Sequence, residues 1–221
     1  GLPQRALRLI ADADACRSLG RERRSALWEV RRTPADQLQL FAAASAAELG
    51  VEPDAMLPEM ALSEHVTADY QLTRLSLKEH PMTFLRPMFR GEGVLSCQQT
   101  SDAPNGRRVR TAGIVLVRQR PGEGKAIFVT LEDETGITNA LIWARLFERY
   151  RRPIMASRLM LIEGEVQKSR EGVVHLMASR IIDRTDELDR LSESAAPTPQ
   201  AELRHGHPRN VRVLPKSRDF H

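Results

Sequence analysis

Eight cations and two aromatic rings from residue 107 onward have the plainest chemistry. Arg107, Arg108, Arg110, Arg118, Arg120, Lys125, Lys168 and Arg170 are of the type that neutralises phosphates. Phe128 and Trp143 offer π-faces on which unpaired bases stack. Basic side chains interleaved with aromatics are what a single-stranded nucleic acid needs, because the backbone supplies charge and the bases supply flat apolar surface. Each residue also has a plainer reading: the rings as core, the cations as solvated surface.

A second motif is the run Gln37-Leu38-Gln39-Leu40-Phe41. It matches the pentapeptide by which bacterial DNA-handling proteins dock on the sliding clamp. Gln37 would supply hydrogen bonds, and Leu38, Leu40 and Phe41 apolar anchors for a groove; the alternative is that these leucines cover neighbouring helices. Arg21, Arg23 and Arg24 around Gly20 would add charge to a helical hairpin whose amides could face a duplex backbone.

Catalytic chemistry is missing from the pattern. No segment pairs carboxylates on adjacent strands as a two-metal centre requires, and Glu132, Asp133 and Glu134 fit a strand end and turn. The run Pro121-Gly122-Glu123-Gly124-Lys125 lacks the glycine spacing and the Ser/Thr of a Walker loop. His205 and His207 have no partners at ligand spacing, so neither a metal nor another cofactor is expected in the chain.

The elements that would position these residues follow from periodicity. Apolar residues at helical spacing on either side of Leu19-Gly20 predict helix, hairpin, helix over 1–33. Residues 34–106 read as a linker carrying the pentapeptide, with helical spacing over Glu64–Leu77 that stops at His80-Pro81. The stretch from Leu85 to Gly106 reads as turn-rich. After Gly106 the period changes to that of strands. Runs at Val109–Arg120, Ala126–Glu132 and Ile137–Trp143, a short helix at Arg145–Arg151, and runs at Leu159–Gln167 and Val173–Ile182 give the order of a five-stranded OB barrel over 107–190. Alternation sets Phe128 with Thr130 and Glu132, opposite Ile127, Val129 and Leu131, which places it on the outer face. Residues 191–221, rich in Ser, Ala, Pro and His, predict a flexible tail without a core. The fold class is α+β.

Composition narrows the setting. Of 221 residues 41% are hydrophobic, enough for a core, and the net charge is +4, supplied far more by arginine than by lysine, which favours phosphate or stacking partners. Cys16 and Cys97 are the two cysteines and suggest neither a disulfide framework nor a zinc site. No apolar run approaches the ~20 residues of a membrane span, and a reducing cytoplasm fits. The start, Gly1-Leu2-Pro3-Gln4-Arg5, carries neither an initiator Met nor a signal peptide and suggests an excised piece.

Taken together, the motifs resemble the C-terminal region of the bacterial error-prone DNA polymerases, damage-inducible relatives of the replicative polymerase alpha subunit. Ala11-Asp12-Ala13-Asp14-Ala15, Arg17-Ser18-Leu19-Gly20 and Arg23–Trp28 are similar to that family's late helix-hairpin-helix block. Asp69-Tyr70, Leu75-Ser76-Leu77-Lys78 and His80-Pro81 resemble its signature before the barrel, and Gly113–Gly122, Thr130–Gly136 and Phe147-Glu148-Arg149 resemble the barrel. The closing Ser217–His221 is similar to its C-terminus. Arg74 stands where the family usually has Gly, and Cys16 where a larger aromatic is common.

The resemblance implies a parent that extends primers across damaged templates in an SOS-type response to DNA damage, uses Mg2+ and works with a Y-family-like accessory protein. Its palm, thumb and fingers would lie upstream, so this region would be non-catalytic. The resemblance also implies a clamp peptide between the hairpin and the barrel, where Gln37–Phe41 lies. Three readings stay open: a binder of single-stranded DNA, an adaptor whose barrel holds protein, and an RNA binder of the anticodon type.

Overall fold

The computed structural model describes residues 2–32, 57–121, 125–193 and 218–219. The pentapeptide at Gln37–Phe41 lies outside the described residues. No helix among them is long and apolar enough to cross a membrane.

Five long strands carry the alternation expected of them. They are β1 (Arg108–Gln119), β2 (Ala126–Asp133), β3 (Gly136–Trp143), β4 (Leu159–Lys168) and β5 (Val174–Asp183). They close in the order β1-β2-β3-β5-β4 and back to β1, with the β3–β5 pair parallel and the others antiparallel. This is the OB barrel predicted from the strand order, each strand ending within about one residue of its expected limits. The two-residue strand β6 (Arg218–Asp219) adds to β1 in parallel.

Closure needs backbones to cross at close range. A Cβ on Gly113 would sit 2.7 Å from Glu132 O, and one on Gly164 2.5 Å from Met177 O. Only glycine fits where β1 meets β2 and where β4 bulges against β5. The interior is filled by Val115, Val129, Leu131, Ile142, Ile162 and Leu176 with their neighbours. The helix between β3 and β4 (Ala144–Ala156) contributes Phe147 and Ile154 to the same core.

Among the described residues, six further α-helices accompany the barrel: α1 (Gln4–Asp12), α2 (Arg23–Arg32), α3 (Leu62–Leu72), α4 (Pro81–Gly91), α5 (Cys97–Asp102) and, after β5, α7 (Asp186–Glu193); the Ala144–Ala156 helix is α6. The Leu85–Gly106 stretch, expected to be turn-rich, is therefore largely helical. Pro87 inside α4 masks a helix that starts on Pro81 and buries Met82, Leu85 and Phe89 along one face. Ser96 and Gln99 form a reciprocal capping box on α5, with the Ser96 amide donating to Gln99 Oε1 at 3.0 Å. Met82, Leu85, Phe89 and Val94 then meet Ala112, Leu159 and Leu161 of the barrel and Leu188 and Leu191 of α7 in a second core. Strand β4 is buried on both faces there, which explains its continuous Leu159-Met160-Leu161-Ile162 run. α7 continues past the expected start of the tail at 191, and residues 194–217 lie outside the described ones.

Charged groups join the layers. Arg86 of α4 donates to Asp133 Oδ2 at 2.6 Å and to Glu134 Oε1 at 2.5 Å, and Asp133 also accepts the Cys97 amide at 2.7 Å. The acidic run at the β2–β3 turn thus clamps α4 and α5 to the barrel.

Arg74 has φ +64°, and its amide donates to Asp69 O at 3.2 Å just beyond the end of α3. This is the left-handed position after a helix that glycine ordinarily takes, and it accounts physically for the departure noted at residue 74. An L-residue there costs about 1–2 kcal/mol, partly offset by the ~0.5–1 kcal/mol of extra chain entropy that glycine loses on folding. Arg74→Gly should raise the unfolding free energy by up to about 1 kcal/mol in urea titration; a lower midpoint would contradict the reading.

Candidate nucleic-acid interface

Strands β2, β3 and β5 turn alternate residues outward. On β2 the inner set is Ile127, Val129 and Leu131, and the outer set is Phe128, Thr130 and Glu132. Register places Leu141 across from Phe128, Asn139 across from Thr130 and Met177 beside Leu141. Gln119 of β1 faces Phe128 from the other side. The Phe128 ring meets His175 edge-to-face with centroids 6.0 Å apart, and Thr130 Oγ1 donates to Asn139 Oδ1 at 2.9 Å. Trp143 closes the strip at the end of β3 with 47% of its surface exposed. Of the two readings open for each ring, the core reading is excluded: both lie on the outer face.

Cations stand at both ends of this strip. Lys125 follows the β1–β2 loop, and its carbonyl accepts the Ala144 amide at 3.0 Å, beside Trp143. Arg120 precedes the same loop and lies 5.6 Å over the Phe147 ring, with Arg151 also over that ring at 5.7 Å. At the far end the β4–β5 turn carries Lys168 and the exposed Arg170. The Ser169 amide donates to Val173 O at 2.9 Å, and Gly172 takes φ +84°. With eight residues in β3 at about 3.3 Å each, the two cationic ends are roughly 25 Å apart.

Arg118 does not belong to this set. It is 7% exposed, and its guanidinium donates to the carbonyls of Ile154 and Ser157 at the C-terminal end of α6. There it satisfies helix carbonyls that have no intrahelical partner. The cause is a bulge: Val115 pairs with Leu131 but Val117 with Thr130, leaving Leu116 as the extra residue. That one-residue insertion reverses the facing of everything after it, so Arg118 falls opposite buried Val129.

Arg107, Arg108 and Arg110 lie on the adjoining side of the barrel, at the start of β1. Arg110 Nη1 donates to Glu92 O at 2.7 Å, and its Nε is 3.2 Å from Glu163 Oε1. The three line a groove of about 450 Å³ with Gly93, Gly164 and Ser179. They are outside the strip bounded by the two loops.

The hairpin arginines are engaged within the molecule. Arg23, 2% exposed, pairs with Asp69, while Arg24 lies 3.2 Å from Glu64 and Arg21 2.9 Å from Glu29. Arg23 is therefore buried inside the molecule, while Arg21 and Arg24 stand beside acids at the surface. The sequence reading missed His175, Leu141 and Met177 because the parallel pairing of β3 with β5, which sets them beside Phe128, has no local signature.

Residues 109–183 match the family model described as "OB-fold nucleic acid binding domain". The error-prone DNA polymerase of Bradyrhizobium sp. (strain ORS 278) is 53% identical over 241 aligned residues, covering 100% of this chain and 21% of that protein. The error-prone DNA polymerase of Brucella abortus is 52% identical, with the same coverage of both chains. End to end, the chain is related to a segment of the bacterial error-prone DNA polymerases. It spans about a fifth of the length of these polymerases, so the resemblance drawn from the hairpin, signature and barrel motifs holds across the whole chain. Among solved structures, asparaginyl-tRNA synthetase from Pyrococcus horikoshii matches 48% of this chain and 30% of its own, with 23% identity and a TM-score of 0.33.

Proposed function

We propose that the chain is the non-catalytic C-terminal region of an error-prone translesion polymerase and holds single-stranded template DNA across β2, β3 and β5. The observation that carries this reading is the placement of Phe128 and Trp143 outside the core, between loops bearing Arg120 and Lys125 at one end and Lys168 and Arg170 at the other. Bases stack on the rings while phosphates lie along the cationic ends. Polymerisation, with its Mg2+, belongs to the remainder of the parent enzyme. Gln37, Leu38, Leu40 and Phe41 dock on the sliding clamp, and a Y-family-like accessory protein of the damage response completes the assembly.

The partly buried Leu141 and Met177 on the same face favour a second reading, a barrel that docks protein. Salt separates the two. Strand binding weakens with a log-log slope of roughly 0.7 per phosphate neutralised, about 3 for the four loop cations, whereas an apolar contact changes little. The test is fluorescence anisotropy of this chain with a labelled single-stranded DNA at two salt concentrations, competed with duplex and with RNA of the same sequence. Salt-sensitive preference for single-stranded DNA is expected; no binding at low salt would transfer the face to protein docking, and a preference for RNA would indicate reading of the 2′-hydroxyl. In a parallel clamp-capture assay, Leu40→Ala with Phe41→Ala should lower clamp affinity roughly 30-fold and leave the DNA titration unchanged.

A further inference from the structure

Helix α6 carries charge that its packing does not call for. Over Ala144–Ala156 it holds four arginines, Arg145, Arg149, Arg151 and Arg152, against one acid, Glu148. Phe147 and Ile154 turn into the barrel core, and all four arginines are exposed. Among the described residues none of the four forms an ion pair, whereas Arg8 on α1 meets Asp12 at 3.8 Å and Arg190 on α7 meets Glu187 at 2.8 Å. Two of the guanidinium groups rest on rings instead, Arg149 5.4 Å over Tyr150 and Arg151 5.7 Å over Phe147, which holds their planes close to the helix. For the helix alone the pattern is unfavourable. Arg145 and Arg149 stand one turn apart, ahead of the kink at Tyr150, and repel each other. Arg145 also lies in the first turn, where the helix dipole disfavours a cation. A polyanion along the exposed face relieves both.

The place of the helix indicates which polyanion. α6 begins where the aromatic strip ends: Trp143 is the residue before its first turn, and the Ala144 amide donates to Lys125 O. A strand that leaves the strip past Trp143 therefore meets α6. The two surfaces differ in chemistry. The strip combines cations with rings, which suits unpaired bases. The outer face of α6 has cations but no exposed ring, since Phe147 is buried and Tyr150 partly so, and this suits a backbone whose bases are already paired inside a duplex. From Arg145 to Arg152 the helix rises about 10 Å, the axial length of about three phosphates of one strand. Resting on the single-strand reading above, we propose that α6 holds, through Arg145, Arg149 and Arg152, the backbone of double-stranded DNA adjoining the bound single strand. The barrel then sits on a single-to-double-strand junction, with Trp143 at the boundary.

The test uses the whole chain and three kinds of DNA: a single strand of ~8 bases, near the length one barrel covers, the same strand continued at its 5′ or its 3′ end into a duplex of roughly 12 base pairs, and that duplex alone. In the wild type one of the two junctions should bind about 10-fold more tightly than the single strand, with a salt slope steeper by about 2.7, since each duplex phosphate neutralised adds roughly 0.9. The blunt duplex should bind most weakly. Arg145→Ala with Arg149→Ala and Arg152→Ala should abolish the junction advantage and the added slope while single-strand affinity stays within about 2-fold. The three positions are exposed and alanine is the best helix former, so the urea midpoint should be unchanged or higher. Lysine at the same three positions should restore the advantage, which a packing role would not allow. Equal wild-type affinity for junction and single strand, or an advantage that survives in the alanine variant, overturns the duplex face and leaves the strip intact. An equal loss on single strand and junction places α6 in the single-strand path and likewise overturns it. If the wild type binds duplex through these arginines but no single strand, the strip reading fails and α6 stands; failure to bind any DNA at low salt overturns both.

Discussion

Phe128→Ala combined with Trp143→Ala is expected to weaken single-stranded DNA binding by about 100-fold or more. Base–aromatic stacking contributes about 1–3 kcal/mol per ring, and tenfold in affinity corresponds to about 1.4 kcal/mol. Neither ring belongs to the barrel core: Phe128 is half-buried on the outer face and Trp143 is 47% exposed. The variant should lose the edge contact between Phe128 and His175, of the order of 1 kcal/mol, together with the part of the Phe128 ring packed on the outer face, while the interior of the barrel stays filled. The salt slope separates this loss from a loss of charge. With every cation in place, the double variant should bind weakly with the wild-type slope, whereas Lys125→Ala with Arg170→Ala should reduce the slope by about 1.4. Near-wild-type affinity in a folded Phe128/Trp143 variant would remove the face from the strand path.

The contrast between these two variants also shows which parts of the site were legible. Phe128 was placed correctly by simple alternation, because β2 runs unbulged along its whole length in register with β3. Arg118 was read as one of the phosphate-binding cations, but the bulge at Leu116 turns it inward and nothing in Val115-Leu116-Val117-Arg118 marks that bulge. A variant at Arg118 would report on the end of α6, where it holds the Ile154 and Ser157 carbonyls, not on phosphate. The barrel order was readable since each strand is closed by a turn with its own chemistry. Helix α4 was not, since Pro87 argues locally for a break while Met82, Leu85 and Phe89 gain their partners from Leu159 and Leu161, far along the chain. Arg23 was read as surface charge because its counter-ion, Asp69, is 46 residues away.

That ion pair leads to the largest expected effect on stability. Asp69→Ala should cost about 3–5 kcal/mol, the usual consequence of removing one partner from a buried charge pair. The carboxylate accepts from Arg23, from Lys78 Nζ at 2.8 Å and from Ser76 Oγ at 2.9 Å. Lys78 also reaches Asp14 at 3.2 Å, so one acid joins the α1–α2 hairpin, α3 and the segment before α4. Without it Arg23, 2% exposed, keeps only the His65 carbonyl at 3.0 Å and a longer contact to that ring. The pH dependence has two windows of the same sign. Burial raises the Asp69 pKa, but the hydrogen bonds from Lys78, Arg23 and Ser76 outweigh it and hold the carboxyl below its usual 3.8. Its contribution is therefore complete above that value and disappears as pH falls through the folded pKa. Burial foremost also holds His65 and His80 below 6.5, and His80 Nδ1 accepts the Met82 amide at 3.1 Å as the cap of α4. The unfolded chain takes up protons at these rings first, so wild-type stability should start to fall below about pH 6.5. His80→Asn, which retains a capping acceptor, should shrink that upper window to the part contributed by His65, while Asp69→Ala should remove the lower one. Urea midpoints measured across pH would decide it: a loss under about 1 kcal/mol in Asp69→Ala at pH 7 would mean that the hairpin is held by packing alone. Because the Asp69 cluster shares no residue with the barrel core, the folded variant should keep its DNA affinity. In that case the hairpin arginines act to fix α1 and α2 against α3, and the strand is held by the barrel.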